Sequence, residues 1–213
     1  MRRKLPWTHR VYHFLKGPSP LHPAVWNGRL APLKFRRFGD ADLEHCLEIY
    51  RLKEPDTFPA GALDLYRKSL LERKSYYLVA EMEGRVVATG GLQYFLRRDI
   101  AVLCFGLVHP KFQGRGVGTA LVLTRLALLN AADPALRVWI FAVWKSINFY
   151  RRFGFRPFSR WKDKQGGRHP SGQLIISGQE VEQCRDLLRE HGVSFPADAE
   201  VIPFRERGEI WTT

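Results

Sequence analysis

The sequence predicts an α/β fold around a mixed sheet, and three observations carry that reading. Two β-branched and aromatic runs, 76–82 and 85–92, flank Glu83-Gly84, which is a hairpin signal. A third run, 100–108, feeds a glycine-rich loop and a long apolar helix. Strand, short helix and strand then follow through residue 159. Hairpins succeeded by strand–helix–strand units build a sheet with both pairing senses, not a doubly wound parallel one. Apolar types make up 45% of the 213 residues and charged types 26%, so an ordinary core is available and wholesale disorder is excluded. No apolar run approaches the roughly 18 residues of a membrane-spanning helix. Cys46, Cys104 and Cys184 are odd in number and far apart, which argues against a disulfide scaffold. Cys46 shares a helical face with Leu43, Leu47 and Tyr50, and Cys184 with Val181 and Leu188. They read as small core residues in a reducing, cytoplasmic setting.

Each element has its own justification. Residues 1–39 hold nine Lys/Arg and no acid, out of a net charge of +13, and five prolines lie within 1–32. Trp7, Val11, Phe14 and Leu15 repeat at helical spacing there. The basic arm, 1–32, reads first as a structural arm; nucleic-acid contact and targeting are its other two roles. Residues 33–38 form a strand. Asp40 caps a helix with Asp42 and Glu44 in its first turn, where carboxylates favour the positive helix end. A second helix lies between Pro59 and Glu72. The third run ends at His109-Pro110, and a helix spans 116–130. Arg125 is the only charge between Gly118 and Asp133, so this helix is buried on most sides. Residues 137–143 are a strand, 146–153 a short helix ended by Gly154, and 155–159 another strand. Residues 161–171 are polar and glycine-rich, hence a loop, and 172–176 form the last strand. Ser177 and Glu180 have capping-box spacing for a helix that reaches His191 before Gly192. The expected organisation is the arm, a domain over 33–176, and a C-terminal helix and tail, 177–213, packed on that domain.

The segment Gln113-Gly114-Arg115-Gly116-Val117-Gly118-Thr119 carries most of the functional information. A glycine-rich turn feeding a helix lets successive backbone N–H groups approach an anion, and the helix end adds about half a positive charge. Lys111 and Arg115 add charge at its rim. A dinucleotide fingerprint beginning at Gly114 needs a small third residue where Thr119 stands. No Gly-Lys-Ser/Thr follows, and a kinase loop sits in a hairpin instead of before a buried helix. All three nucleotide motifs fail. There is no Cys-x-x-Cys and no Gly-x-Ser-x-Gly elbow, so metal and hydrolase chemistry are not indicated.

Residues 108–118 resemble the signature loop of the GNAT superfamily of acyl-CoA-dependent N-acyltransferases, with Gln113, Gly116 and Gly118 in the pattern positions. Phe149-Tyr150-Arg151-Arg152-Phe153-Gly154-Phe155 resembles that family's Phe-Tyr-x-x-x-Gly-Phe helix end, and strand 137–143 lies between the two motifs. The resemblance implies a mixed, mostly antiparallel sheet of six to seven strands, helices on both faces, and a splayed strand pair for acyl-CoA. It further implies that Leu107 and Val108 pair with pantetheine amides and that the N–H groups of residues 114–119 (Gly114, Arg115, Gly116, Val117, Gly118, Thr119) hold the pyrophosphate. Tyr150 takes the family tyrosine's role, protonating the departing thiolate, although three phenylalanines around it also fit a core role.

The base is unassigned. Some members carry a glutamate where this chain has Val102; Asp99, Glu81 and His109 are the substitutes in principle. The asparagine many members have before the short helix is Val143 here, with Ser146 and Asn148 nearby. The implied activity is transfer of an acetyl or other short acyl group from acetyl-CoA or a similar acyl-CoA to a primary amine, without a metal. Two rivals stay open: a basic module for RNA or a ribonucleoprotein, and an acyl-CoA-binding domain without catalysis, to which Val102 and Val143 lend support.

Overall fold

A computed structural model describes residues 33–53, 58, 61–73, 75–95, 100–132, 135–162, 166–196 and 204–205. The basic arm and Asp99 lie outside the described residues. Strands β1 (Lys34–Arg37), β2 (Tyr76–Met82), β3 (Arg85–Phe95) and β4 (Ile100–Val108) pair antiparallel in sequence order. β5 (Leu136–Phe141) joins β4 in parallel. The hairpin of β6 (Arg156–Lys162) and β7 (Arg168–Ile176) closes the sheet, giving the order β1-β2-β3-β4-β5-β7-β6. A two-residue strand, β8 (Phe204–Arg205), extends the end of β3 in parallel. This is the mixed sheet that the hairpin signals predict, and it is mostly antiparallel, as the resemblance implies.

Strand side chains alternate between faces, and the helices divide accordingly. Helices α1 (Leu43–Arg51) and α2 (Ala62–Leu71) bury Cys46, Leu47, Tyr50, Tyr66 and Leu70 against Tyr77, Val79 and Leu107. Opposite them, α3 (Val117–Ala127) packs Leu121 and Leu123 over Leu78, Ala80 and Leu92. Helix α4 (Trp144–Arg151) adds Ile147 to that core, and α5 (Gly178–Glu190) adds Val181, Cys184 and Leu188. The α5 capping box forms: Ser177 Oγ accepts the Glu180 N–H, and Glu180 Oε2 accepts the Ser177 N–H at 2.9 Å. Burial pushes the Cys46 thiol up to about 11 and the Cys184 thiol up to about 12, so both are inert. Among the described residues no helix is long and apolar enough to cross a membrane.

Three local expectations change. Asp40 is not the cap: a 3-10 turn, Asp40–Asp42, precedes α1, and Asp42 accepts the Gly39 N–H at 2.8 Å. Asp40 instead meets Arg73 at the surface. The hairpin strand expected to end at residue 92 runs on to Phe95, because Tyr94 and Phe95 still have partners in Ala101 and Ile100. The expected 161–171 loop is largely strand: β6 reaches Lys162 and β7 begins at Arg168. Trp161 stacks on His169 across the hairpin at 4.6 Å and donates to the Ala142 carbonyl. The stretch imitates a loop because the turn of the hairpin, with Gly166 and Gly167, lies inside it and only Trp161–Lys162 and Arg168–Ser171 pair as strand.

Candidate active site

Two irregularities in the sheet open the site. β4 pairs with β5 only over Ile100–Leu103 against Arg137–Ile140, so the rest of β4 leaves its outer edge unpaired. β4 also carries a bulge: Thr89 faces Leu107 and Gly91 faces Cys104, so Phe105 and Gly106 together oppose Gly90. Phe105 stands at φ +39°, sparse territory for a residue with a Cβ, and its ring packs 4.9 Å from Tyr66. A bulge re-aims the chain locally. Here it leaves Gly106 exposed beside the parting strands.

The glycine loop begins where β4 ends. His109 Nδ1 accepts the Lys111 N–H at 3.2 Å and so caps the 3-10 turn Pro110–Phe112. Gln113 Nε2 donates to the Val108 carbonyl at 3.2 Å, tying the loop to the strand. Gly114 and Gly116 have φ of +73° and +81°. A Cβ on Gly114 would touch nothing within 4 Å, so its backbone angle, not crowding, calls for glycine. Gly116 then caps α3, which Val117, Gly118 and Thr119 open. N–H groups in a first helical turn have no intrahelical acceptor, and they sit at the positive helix end. Residues 100–132 contain no acid, while Lys111 and Arg115 are exposed at the rim, Arg115 lying 5.5 Å over the Phe112 ring. The cradle fits a pyrophosphate. Leu107 is buried toward α1 and α2, and Val108 is half-buried.

Tyr150 approaches from the opposite side. It lies late in α4, with Phe149 at 5.2 Å and Phe155 at 5.6 Å between ring centres. Phe149 also packs against Phe153, and its ring lies 3.4 Å from where a Cβ on Gly118 would stand. These contacts anchor α4 to the first turn of α3. The Tyr150 hydroxyl stands 3.1 Å from the position a Cβ on Gly106 would take. The aromatic cluster therefore aims the phenol at the bulge.

The substitutes named for the base do not gather here. Val102 lies in an apolar cluster with Phe95 and Ile100. Glu81 is held by Arg36 at 2.8 Å in a cleft of about 590 Å³ between α1 and the β2–β3 turn, and His109 is occupied as a cap. Val143 caps α4 by its backbone; Ser146 bonds back to the Val143 carbonyl, and Asn148 accepts from Arg151 at the surface. One residue is present that the motifs do not name. Arg125 reaches from α3 to the same Gly106 position, its Nη2 3.0 Å away. Its signal in the sequence is a lone charge inside an otherwise uncharged helix.

A family model described as the acetyltransferase (GNAT) family matches residues 43–155. Among solved structures, one described as an acetyltransferase of the GNAT family from Desulfovibrio desulfuricans is 15% identical. It covers 68% of this chain and 99% of its own, with a TM-score of 0.56. The ribosomal-protein-S18-alanine N-acetyltransferase of Escherichia coli is 20% identical over 68% of this chain and 94% of its own, with a TM-score of 0.52. A PaiA N-acetyltransferase from Thermoplasma acidophilum, in complex with coenzyme A, is 13% identical over 68% of this chain and 100% of its own, at a TM-score of 0.55. No curated protein matches the sequence. The family match spans more than half of the chain, from α1 through the bulge and the glycine loop to Phe155, and with it the chain belongs to the GNAT acetyltransferase family.

Proposed function

We propose that this protein is an N-acyltransferase that moves an acetyl or other short acyl group from acyl-CoA to a primary amine. The observation that carries the reading is the Tyr150 hydroxyl aimed at Gly106 between parting strands, next to an acid-free glycine cradle at a helix start. The N–H groups of residues 114–119 would hold the pyrophosphate, and the outer edge of Leu107 and Val108, where the Val108 carbonyl also accepts from Gln113, would receive the pantetheine amides. Gln113 acts through loop shape, since its amide is tied to Val108. When bound, acyl-CoA supplies an activated acyl carbon. The chain's own tasks are then to hold it, to exclude water and to deliver a proton from Tyr150 to the leaving sulfur. A lysine-like amine must first lose its proton, which costs about 4.6 kcal/mol at pH 7. Water reaching the acceptor side, in place of a fixed carboxylate, is in keeping with Val102.

A second reading has one observation behind it. Among the described residues between 135 and 176 there are eight Lys/Arg and no acid, and Arg160 lies 5.7 Å over the Trp144 ring. That face suits an acceptor amine carried on an RNA or a ribonucleoprotein. Free-thiol release from acetyl-CoA over a panel of amines, peptides and ribonucleoproteins tests both readings. Tyr150→Phe is expected to lower kcat by roughly 10² with little change in KM, because it removes a donor used only in the transition state. Full turnover by the Phe variant assigns Tyr150 to the core. Acetyl-CoA binding with no thiol release from any acceptor refutes catalysis.

A further inference from the structure

Arg125 is the largest fully buried side chain among the described residues, at 0% exposure. Its Nε donates to the Leu121 carbonyl at 3.1 Å and its Nη1 to the Cys104 carbonyl at 3.4 Å. Nη2 has no partner among the described residues, although it is shielded from solvent. No ion pair forms to it among the described residues, where Arg36, Arg51, Lys68, Arg73, Arg185 and Arg189 do pair with carboxylates. The backbone is cleared for this guanidinium: a Cβ on Gly90 would lie 3.2 Å from its central carbon. A Cβ on Gly106 would lie 3.0 Å from Nη2 and 3.1 Å from the Tyr150 hydroxyl, so the two donors stand within about 6 Å of each other.

Stability gives no reason for this arrangement. Burying an unpaired charge costs several kcal/mol, and an apolar side chain of similar volume fills such a space at lower cost. A guanidinium keeps its proton at any working pH, so it cannot escape the cost by neutralising. An open donor on a buried cation, beside a phenol aimed at the same point, is a site for an anion.

We propose that Arg125 Nη2 and Tyr150 Oη together hold the sulfur of coenzyme A as a thiolate, the anion left when the acyl group departs. The inference rests on the acyl-CoA reading above and adds a second residue to it. In the transfer, the acceptor nitrogen's lone pair forms the C–N bond and the C–S bond breaks with its electron pair going to sulfur. The sulfur takes the Tyr150 proton, solvent restores that proton, and the nitrogen's surplus proton goes to solvent. Arg125 keeps its own proton throughout and lowers the energy of the charge on sulfur.

Binding separates this role from a structural one. Calorimetry on the full chain compares coenzyme A, whose alkyl thiol ionises somewhat above the cysteine value of about 8.5, with acetyl-CoA, whose sulfur cannot ionise, from about pH 6.5 to about pH 10. The ratio of the two affinities corrects for any effect on the pyrophosphate. In the wild type, coenzyme A is expected to gain roughly tenfold over acetyl-CoA as pH rises. Arg125→Met is expected to abolish the gain while leaving acetyl-CoA affinity within about twofold and the melting temperature equal or higher. Arg125→Lys keeps a charge without the planar fork, and its gain is expected to fall at least about threefold. A flat wild-type ratio, or an undiminished gain in the variant that folds, overturns the proposal. A lowered melting temperature with the gain intact assigns Arg125 to the core. Failure of the wild type to bind acetyl-CoA at all refutes the acyl-CoA reading itself, a result distinct from loss of the Arg125 role alone.

Discussion

Arg36 and Arg125 occupy opposite situations. Arg36, with its side chain 36% exposed, contacts both Asp42 oxygens at 2.6 and 2.8 Å and Glu81 at 2.8 Å. Arg125 is fully buried and, among the described residues, bonds to two carbonyls and to no carboxylate. The cation that needs partners more has fewer. The same contrast separates the two faces of the sheet at the bulge. On the α1/α2 face, Tyr66 donates to Thr89 at 3.3 Å, Tyr77 and Ser69 share a bond of 2.9 Å, and Ser75 donates to Gln93 at 2.9 Å. On the α3 face, Arg125 Nη2 is left open next to the Tyr150 hydroxyl. Buried polar groups that complete one another hold a fold together. One left incomplete at an aromatic-braced opening marks where a ligand completes it.

Three changes test that division. The largest effect is expected from Gly106→Val. A β-branched residue suits a strand, but its side chain would stand where Arg125 and Tyr150 converge. Turnover should fall roughly 10²-fold, about 2.7 kcal/mol in the barrier, and because the new side chain crowds a fully buried guanidinium the urea midpoint should also drop, by about 1–3 kcal/mol in stability. Unaltered turnover would show that the two donors do not act at this point.

Asp42→Asn addresses the paired cation and should cost about 1–2 kcal/mol of stability at pH 7, read by urea unfolding, with acyl transfer unaffected. Burial alone would push the Asp42 carboxyl up; the Arg36 hydrogen bonds, the Gly39 N–H and the nearby positive charges outweigh it and hold it below the usual carboxylate range. A depressed folded-state value gives stability that is present above the unfolded value near 3.9 and is lost as pH falls through the folded value. The difference between wild type and variant should therefore shrink below about pH 4. A difference that persists there would sink the ion-pair account.

Tyr66→Phe should have the smallest effect, about 1 kcal/mol of stability, since the buried Thr89 hydroxyl loses its partner. Its kcat should match wild type. A kcat loss as large as that expected for Tyr150→Phe would place the α1/α2 face in the catalytic site as well.

What could be read directly from the chain was local. Backbone angles that only glycine adopts readily sit at Gly114 and Gly116, and the apolar spacing of α3 and the Ser177–Glu180 cap follow from near neighbours. So does the aromatic company of Tyr150 in α4. Local reading erred where a polar hairpin mimics a loop, at β6–β7, where a turn intervenes, at Asp40, and where β3 runs on past Leu92 to Phe95. Residues 1–32 and Asp99 stay outside the described structure. The meeting of Gly90, Gly106, Arg125 and Tyr150 is another matter. It depends on strand register, on one extra residue in β4 opposite Gly90, and on the early end of the β4–β5 ladder. In the sequence Arg125 is one charge in an apolar helix, and Gly106 is one glycine in a strand. Local spacing determines which elements form and which face each buries, because those preferences act between residues close in the chain. The tertiary structure alone decides which backbone a buried guanidinium lies against, because that position is set by pairing between segments far apart in sequence.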